Sequence, residues 1–218
     1  EPVLTWSFFF GLIVASSIFI MRQIRQWDVA EVVLLVVGVV IAVYIAMARP
    51  ASVEMTSLYA LFCGSIAICA MILPGISGSF ILVLLGAYAA VLQAVHQADL
   101  TILLPFVTGC ALGLLVFAHV LGWLLEHAHD RVLAVLTGFL IGSLWLIWPW
   151  KEVVSHYQGS SGELKPLEQL NISPARFTEI TGQDAQFLGA VLLVVIGVVL
   201  VLGLEKISSQ SAAPTDAE

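Results

Sequence analysis

Residues 57–95 read SLYALFCGSIAICAMILPGISGSFILVLLGAYAAVLQAV. The stretch stays apolar for 39 residues, about twice the ~20 that one helix needs to cross ~30 Å of hydrocarbon. Pro74-Gly75-Ile76-Ser77-Gly78-Ser79 interrupts it near the middle. Pro74 has no N–H to donate, and Gly75 and Gly78 permit φ > 0, so a regular helix is not expected to run through. The flanking arms, 57–73 and 80–95, are 17 and 16 residues long, each short for a full crossing. The pattern predicts a broken, re-entrant helical hairpin. Backbone groups freed inside hydrocarbon cost several kcal/mol each unless something satisfies them, so such a break must face protein or a water-filled cavity.

The rest of the chain supports a membrane setting. Of 218 residues, 60% are hydrophobic and 11% charged, and the mean hydropathy is +1.04. Soluble domains average about 45–50% apolar and about 25% charged. The reading is an all-α polytopic integral membrane protein. Further spans are expected at 4–21, 29–47, 100–125, 131–149 and 186–204, about five full crossings beside the hairpin. Asp28 with Glu31 forms a capping-box pattern at the start of the second span, which makes Glu31 a helix-start residue. Asp99 is placed to cap the 100–125 helix, and Ser173-Pro174 to start a short helix in the polar 150–184 loop. Residues 1–204 read as one membrane domain that includes this loop, and 205–218 as a disordered cytoplasmic tail. Gly109/Gly113 and Gly138/Gly142 are spaced to let helix backbones approach closely.

Charge excludes and orients. The net charge is −7 with no basic patch, which excludes nucleic-acid binding. Cys63, Cys69 and Cys110 lie in apolar runs without ligand spacing and read as packing residues. No cofactor and no metal site is expected. Arg22, Arg25, Arg131 and Lys206 fall on one side of the expected topology, placing the 22–28 and 126–131 loops in the cytoplasm and 150–184 outside.

The break has its own chemistry. The helix beginning near Ser79 presents free N–H groups at its start, where the helix dipole favours an anion. Ser77 and Ser79 add hydroxyls, and the glycines allow close approach. With no cation adjacent in sequence, a phosphate or carboxylate would be held largely by neutral donors, with Arg49 or Arg131 arriving through the fold.

AMILPGISGSFILVLLGAY (70–88) resembles a signature of the bacterial polyprenyl-phosphate transporter family. The likeness continues through LLPFVTGCALGLL (103–115), HDRVLAVLTGFLIGSLW (129–145), WPW (148–150) and the opening SFFFGLIVASS (7–17). The resemblance implies a multi-pass protein of the bacterial inner membrane. It would move undecaprenyl phosphate, the lipid carrier of peptidoglycan precursors, across the bilayer and so recycle it, and it would not be an enzyme. It also implies an inverted-repeat architecture in which Pro74, Gly75, Ile76, Ser77, Gly78 and Ser79 form a phosphate site, with Tyr88, Arg49 and Arg131 in support. The family's second, N-terminal copy of the motif has no counterpart before residue 70. The expectation is that the chain is the C-terminal part of such a transporter, or a half that pairs with another chain or with itself.

A rival pattern is present. Gly75-Ile76-Ser77-Gly78 also fits the GxSG of rhomboid intramembrane proteases, and Ala118-His119-Val120-Leu121-Gly122 fits their AHxxG. That reading makes Ser77 and His119 a catalytic pair. The other rhomboid features are missing. His96, His127, His129 and His156 sit at or beyond span ends, where a solvated role is the simpler one.

Overall fold

The computed structural model describes residues 2–51, 53–158 and 164–211, without the side chains of 155–169 and 208–211. Its elements are overwhelmingly helical: α1 (Pro2–Met21), α2 (Val29–Met47), α3 (Ser57–Ile72), α4 (Gly78–Leu84), α5 (Tyr88–Gln97), α6 (Leu100–His127), α7 (His129–Ser143), α8 (Pro174–Thr181) and α9 (Phe187–Ser211). Two strands, β1 (Lys151–Gln158) and β2 (Leu164–Asn171), pair antiparallel. Four helices, α1, α2, α6 and α9, are long and apolar enough to cross a bilayer. The chain is a multi-pass helical membrane protein.

Contacts divide the chain into two compact units, Ile20–Ser143 and Glu1–Phe19 with Leu144–Glu218. In the first unit the small residues bring helix backbones together. On α6, a Cβ added at Gly113 would stand 2.7 Å from the carbonyl oxygen of Ser65 on α3. On α7, one added at Gly138 would stand 3.0 Å from Gly38 Cα on α2. Both glycine pairs therefore pack helices, as their spacing predicted. The capping expectations also hold. The Asp28 N–H donates to Glu31 Oε2 at 3.1 Å, and Asp99 Oδ1 accepts from the Thr101 N–H at 3.0 Å.

In the second unit a Cβ at Gly197 on α9 would stand 2.7 Å from the Phe8 carbonyl of α1. Val3, Trp150, Ile172, Phe177, Ala185 and Ala190 form its buried cluster. Trp148 Nε1 donates to the Ile172 carbonyl and Trp150 Nε1 to the Ala185 carbonyl, both at 2.9 Å. These bonds satisfy the indole N–H groups that burial would otherwise orphan. Ser173 caps α8, its hydroxyl accepting from the Arg176 N–H.

Four expectations need correction. The second arm, expected as one helix over 80–95, breaks again at Leu85–Ala87, and α4 and α5 meet at 108°. The span expected at 131–149 is a 15-residue helix that ends at Ser143. Beyond it the Trp145 and Leu146 carbonyls accept from the side chains of Asn171 and Lys151. The 150–184 loop holds a β-hairpin besides its short helix. Finally, α9 continues to Ser211, past the expected end at 204, and the remaining expected tail, 212–218, lies outside the described residues.

Candidate functional site

The site begins where α3 stops. Leu73 ends the helix with extended backbone (φ −74°, ψ 125°), the conformation that a following proline favours. Gly75 then takes φ +89°, open to glycine and strained for other residues. There the turn lies against α7: a Cβ on Gly75 would stand 2.9 Å from Ser143 Oγ and 3.0 Å from the Phe139 carbonyl. Ser143 is buried and donates its hydroxyl to the Leu140 carbonyl at 2.7 Å.

From Gly78 the chain turns back along α3. A Cβ on Gly78 would meet Met71 and stand 2.7 Å from the Ala67 carbonyl. Leu82 shares a buried cluster with Cys63 and Ala67. The Tyr59 hydroxyl, near the start of α3, donates to the Leu85 carbonyl at 2.7 Å. Opposite, the Ala51 N–H donates to the Leu84 carbonyl at 2.8 Å. α3 and α4 are thus an antiparallel pair joined by the PGISGS turn, and their far ends lie together. Gly86, at φ +67°, makes the second break against the Ala51 carbonyl.

At the tip, the Ser77 and Ser79 hydroxyls are exposed and 2.8 Å apart. The first ladder bond of α4 runs from the Ile81 N–H to the Ser77 carbonyl at 3.0 Å. The N–H groups of Gly78, Ser79 and Phe80 precede that bond and have no partner inside the helix. Three N–H groups and two hydroxyls on four consecutive residues, Ser77 to Phe80, suit an oxyanion. The second break leaves α4 seven residues, so the dipole expected of a full arm is cut to two turns. Local donors rather than a macrodipole define the tip.

The expected supporting residues lie elsewhere. Tyr88 opens α5, beyond the second break. Arg49 is two residues before Ala51, on the side of the second break. Arg131 is on the first turn of α7, eight residues before Phe139, hence about 12 Å along that helix from the Gly75 contact. Its Nε lies 3.6 Å from Glu31 Oε1. Sequence reasoning missed Ser143 and Tyr59, the residues that seat the two turns. Ser143 stands in the GSLW end of the 129–145 stretch that resembles the transporter family, and nothing local in that string marks its role. Among the described residues no Ser77–His119 hydrogen bond forms: Ser77 pairs with Ser79, and His119 is exposed.

Long apolar helices, backbones packed through glycine, and a Pro/Gly/Ser break at the tip of an antiparallel helix pair define a membrane protein of the broken-helix class. The particular family is shown by comparison. Residues 1–165 match the family described as undecaprenyl phosphate translocase-like, and the chain belongs to it. It is 50% identical over 206 residues to a polyprenyl-phosphate transporter of Vibrio cholerae, covering 94% of this chain and 67% of that protein. It is 34% identical over 92 residues to a polyprenyl-phosphate transporter of Staphylococcus aureus, covering 39% of this chain and 32% of that protein. No solved structure matches the chain.

Proposed function

We propose that this chain takes part in moving a polyprenyl phosphate, undecaprenyl phosphate in the bacterial inner membrane, from one leaflet to the other. The observation that carries the reading is the donor set at the turn between α3 and α4: the exposed Ser77 and Ser79 hydroxyls and the N–H groups of Gly78, Ser79 and Phe80. The membership of the chain in a translocase-like family supports it. So do two relatives named polyprenyl-phosphate transporters. The barrier to such movement is the phosphate, because an isolated charge in hydrocarbon is very costly, while the prenyl chain can remain among lipid tails. A turn that offers neutral N–H and O–H donors lowers that barrier without the tight ion pair that would hold the lipid back. The α3–α4 pair then acts as a re-entrant hairpin with the phosphate at its tip. The Ser77–His119 protease reading lacks its hydrogen bond among the described residues.

The test is transbilayer movement of undecaprenyl phosphate in proteoliposomes, using the natural reading frame that contains this chain. Gly78→Leu, whose side chain collides with Met71 and the Ala67 carbonyl, should abolish movement. Ser77→Ala should slow it about tenfold or more, the loss of one hydrogen bond to a charged group being worth about 1.5–3 kcal/mol. Wild-type protein that moves no lipid phosphate would overturn the reading.

A further inference from the structure

A groove of about 360 Å³ opens between α2, α6 and α7, all within the Ile20–Ser143 unit. Its walls include Leu34, Phe117, Leu121, Val132 and Leu136, and they are wholly apolar apart from Arg131. The groove has two distinct ends. Leu73, the residue before Pro74, belongs to its lining. At the other end Ala128 and Arg131 also line a polar cavity of about 390 Å³ that includes Arg25, Glu126, His127 and Asp130. A hydrocarbon channel with a guanidinium at its mouth and the phosphate-suited turn near its inner end is complementary to one kind of molecule. That molecule is an amphiphile with an anionic head and a long apolar chain.

The acids at the mouth bear on whether Arg131 can serve. Glu31 is buried, accepts the Asp28 N–H, and lies 3.6 Å from Arg131 Nε. Among the described residues Arg131 makes no other ion pair or hydrogen bond, and its side chain is 65% exposed. Its guanidinium is therefore reachable from outside, and a guanidinium fork suits phosphate. Asp130 is engaged by the Gln26 N–H at 3.2 Å and by His129 Nδ1 at 3.1 Å. Glu126 remains as an opposing charge, which suits a site that a lipid must leave again.

We infer that this groove is a second lipid-phosphate site, a position on the lipid's path that holds the head on Arg131 with the first part of the chain along α7. The inference rests on the lipid-phosphate reading above and assigns it a path. A head bound at Arg131 lies about 12 Å along α7 from the PGISGS turn, and the groove lining joins the two.

The test is photolabelling of the purified protein in its natural reading frame, with a diazirine-bearing polyprenyl monophosphate and with the matching alcohol. Labelled positions are mapped by mass spectrometry. The phosphate probe should label residues between 117 and 136 at least fivefold more than the alcohol does. Arg131→Gln should remove that difference and Arg131→Lys should restore part of it. Should Arg131→Gln misfold with Glu31 left unpaired, Glu31→Gln/Arg131→Gln replaces it. Val132→Trp, which fills the groove and leaves the charges alone, should lower labelling by both probes. Equal labelling by phosphate and alcohol, or labelling unchanged in folded Arg131→Gln, overturns the inference. Head-dependent labelling in a protein that moves no lipid would uphold the groove and sink the transport reading. Transport at wild-type rate in both Arg131→Gln and Val132→Trp would sink the groove and leave transport standing.

Discussion

Gly75 and Gly122 separate what glycine does in this protein. Gly75 sits at φ +89° with Ser143 and the Phe139 carbonyl where a side chain would go. Gly75→Ala should cost about 1–3 kcal/mol through backbone strain, before any clash. Gly122, on α6, has nothing within 4 Å of a Cβ, so Gly122→Ala should gain about 0.5–1 kcal/mol from helix propensity. Denaturation of both variants in detergent, followed by tryptophan fluorescence, reads the opposite signs. Lys151 makes a prediction about pH. It lies over the Trp6 ring, 5.4 Å from its centroid, and burial pushes its ammonium below the usual lysine range. The unfolded chain binds the proton more readily between that lowered value and about 10.5, so stability rises with pH across this window. Below it both states are protonated and the cost is constant. Midpoints measured from pH 7 to 10.5 should climb in wild type and stay flatter in Lys151→Met.

Among the elements, helix pairs depend on close backbone approach. The α2–α7 pair meets through Gly38 and Gly138, and α7 in turn seats the Gly75 turn. Gly138→Ala should force these helices apart and cost about 1–3 kcal/mol, with transport falling as the Phe139–Ser143 edge shifts. A variant with full stability would contradict the tight packing. The legibility of the elements follows the same physics. The first break was readable because Pro74 and Gly75 forbid a helix by covalent structure. The second was not, since Gly86 in LLGAYAA reads as an isolated glycine in an apolar arm. What bends the chain there is distant in sequence: the Ala51 carbonyl and the Tyr59 hydroxyl. The early end of α7 was hidden for a like reason, as Trp145 and Leu146 give their carbonyls to Asn171 and Lys151. The β-hairpin left no signal because KEVVSHYQ has no clean alternation and Pro166 removes a ladder donor from its partner strand.

For the whole molecule, the arginine distribution predicts a cytoplasmic 126–131 connection and an outside 150–184 region. Single cysteines test this in a background with Cys63, Cys69 and Cys110 replaced by alanine. Gln183→Cys should react with a membrane-impermeant maleimide added to intact cells, and Ala128→Cys only after permeabilisation. Cysteines at 74–79 should resist labelling from the cytoplasmic face if the α3–α4 tip lies within the membrane. Free labelling there would contradict the re-entrant hairpin.

By itself the sequence determined that this is a multi-pass helical membrane protein with a break at Pro74–Ser79, because hydropathy and the covalent limits of proline and glycine act locally. It also marked the glycines that draw helices together and the caps at Asp99 and Ser173. Only the tertiary structure decided that α4 folds back on α3, that Ser143 seats the turn, and that Arg131 stands at a groove mouth paired with Glu31. Those placements depend on carbonyls, hydroxyls and charges brought together from separate helices, and no local pattern encodes which of them will meet.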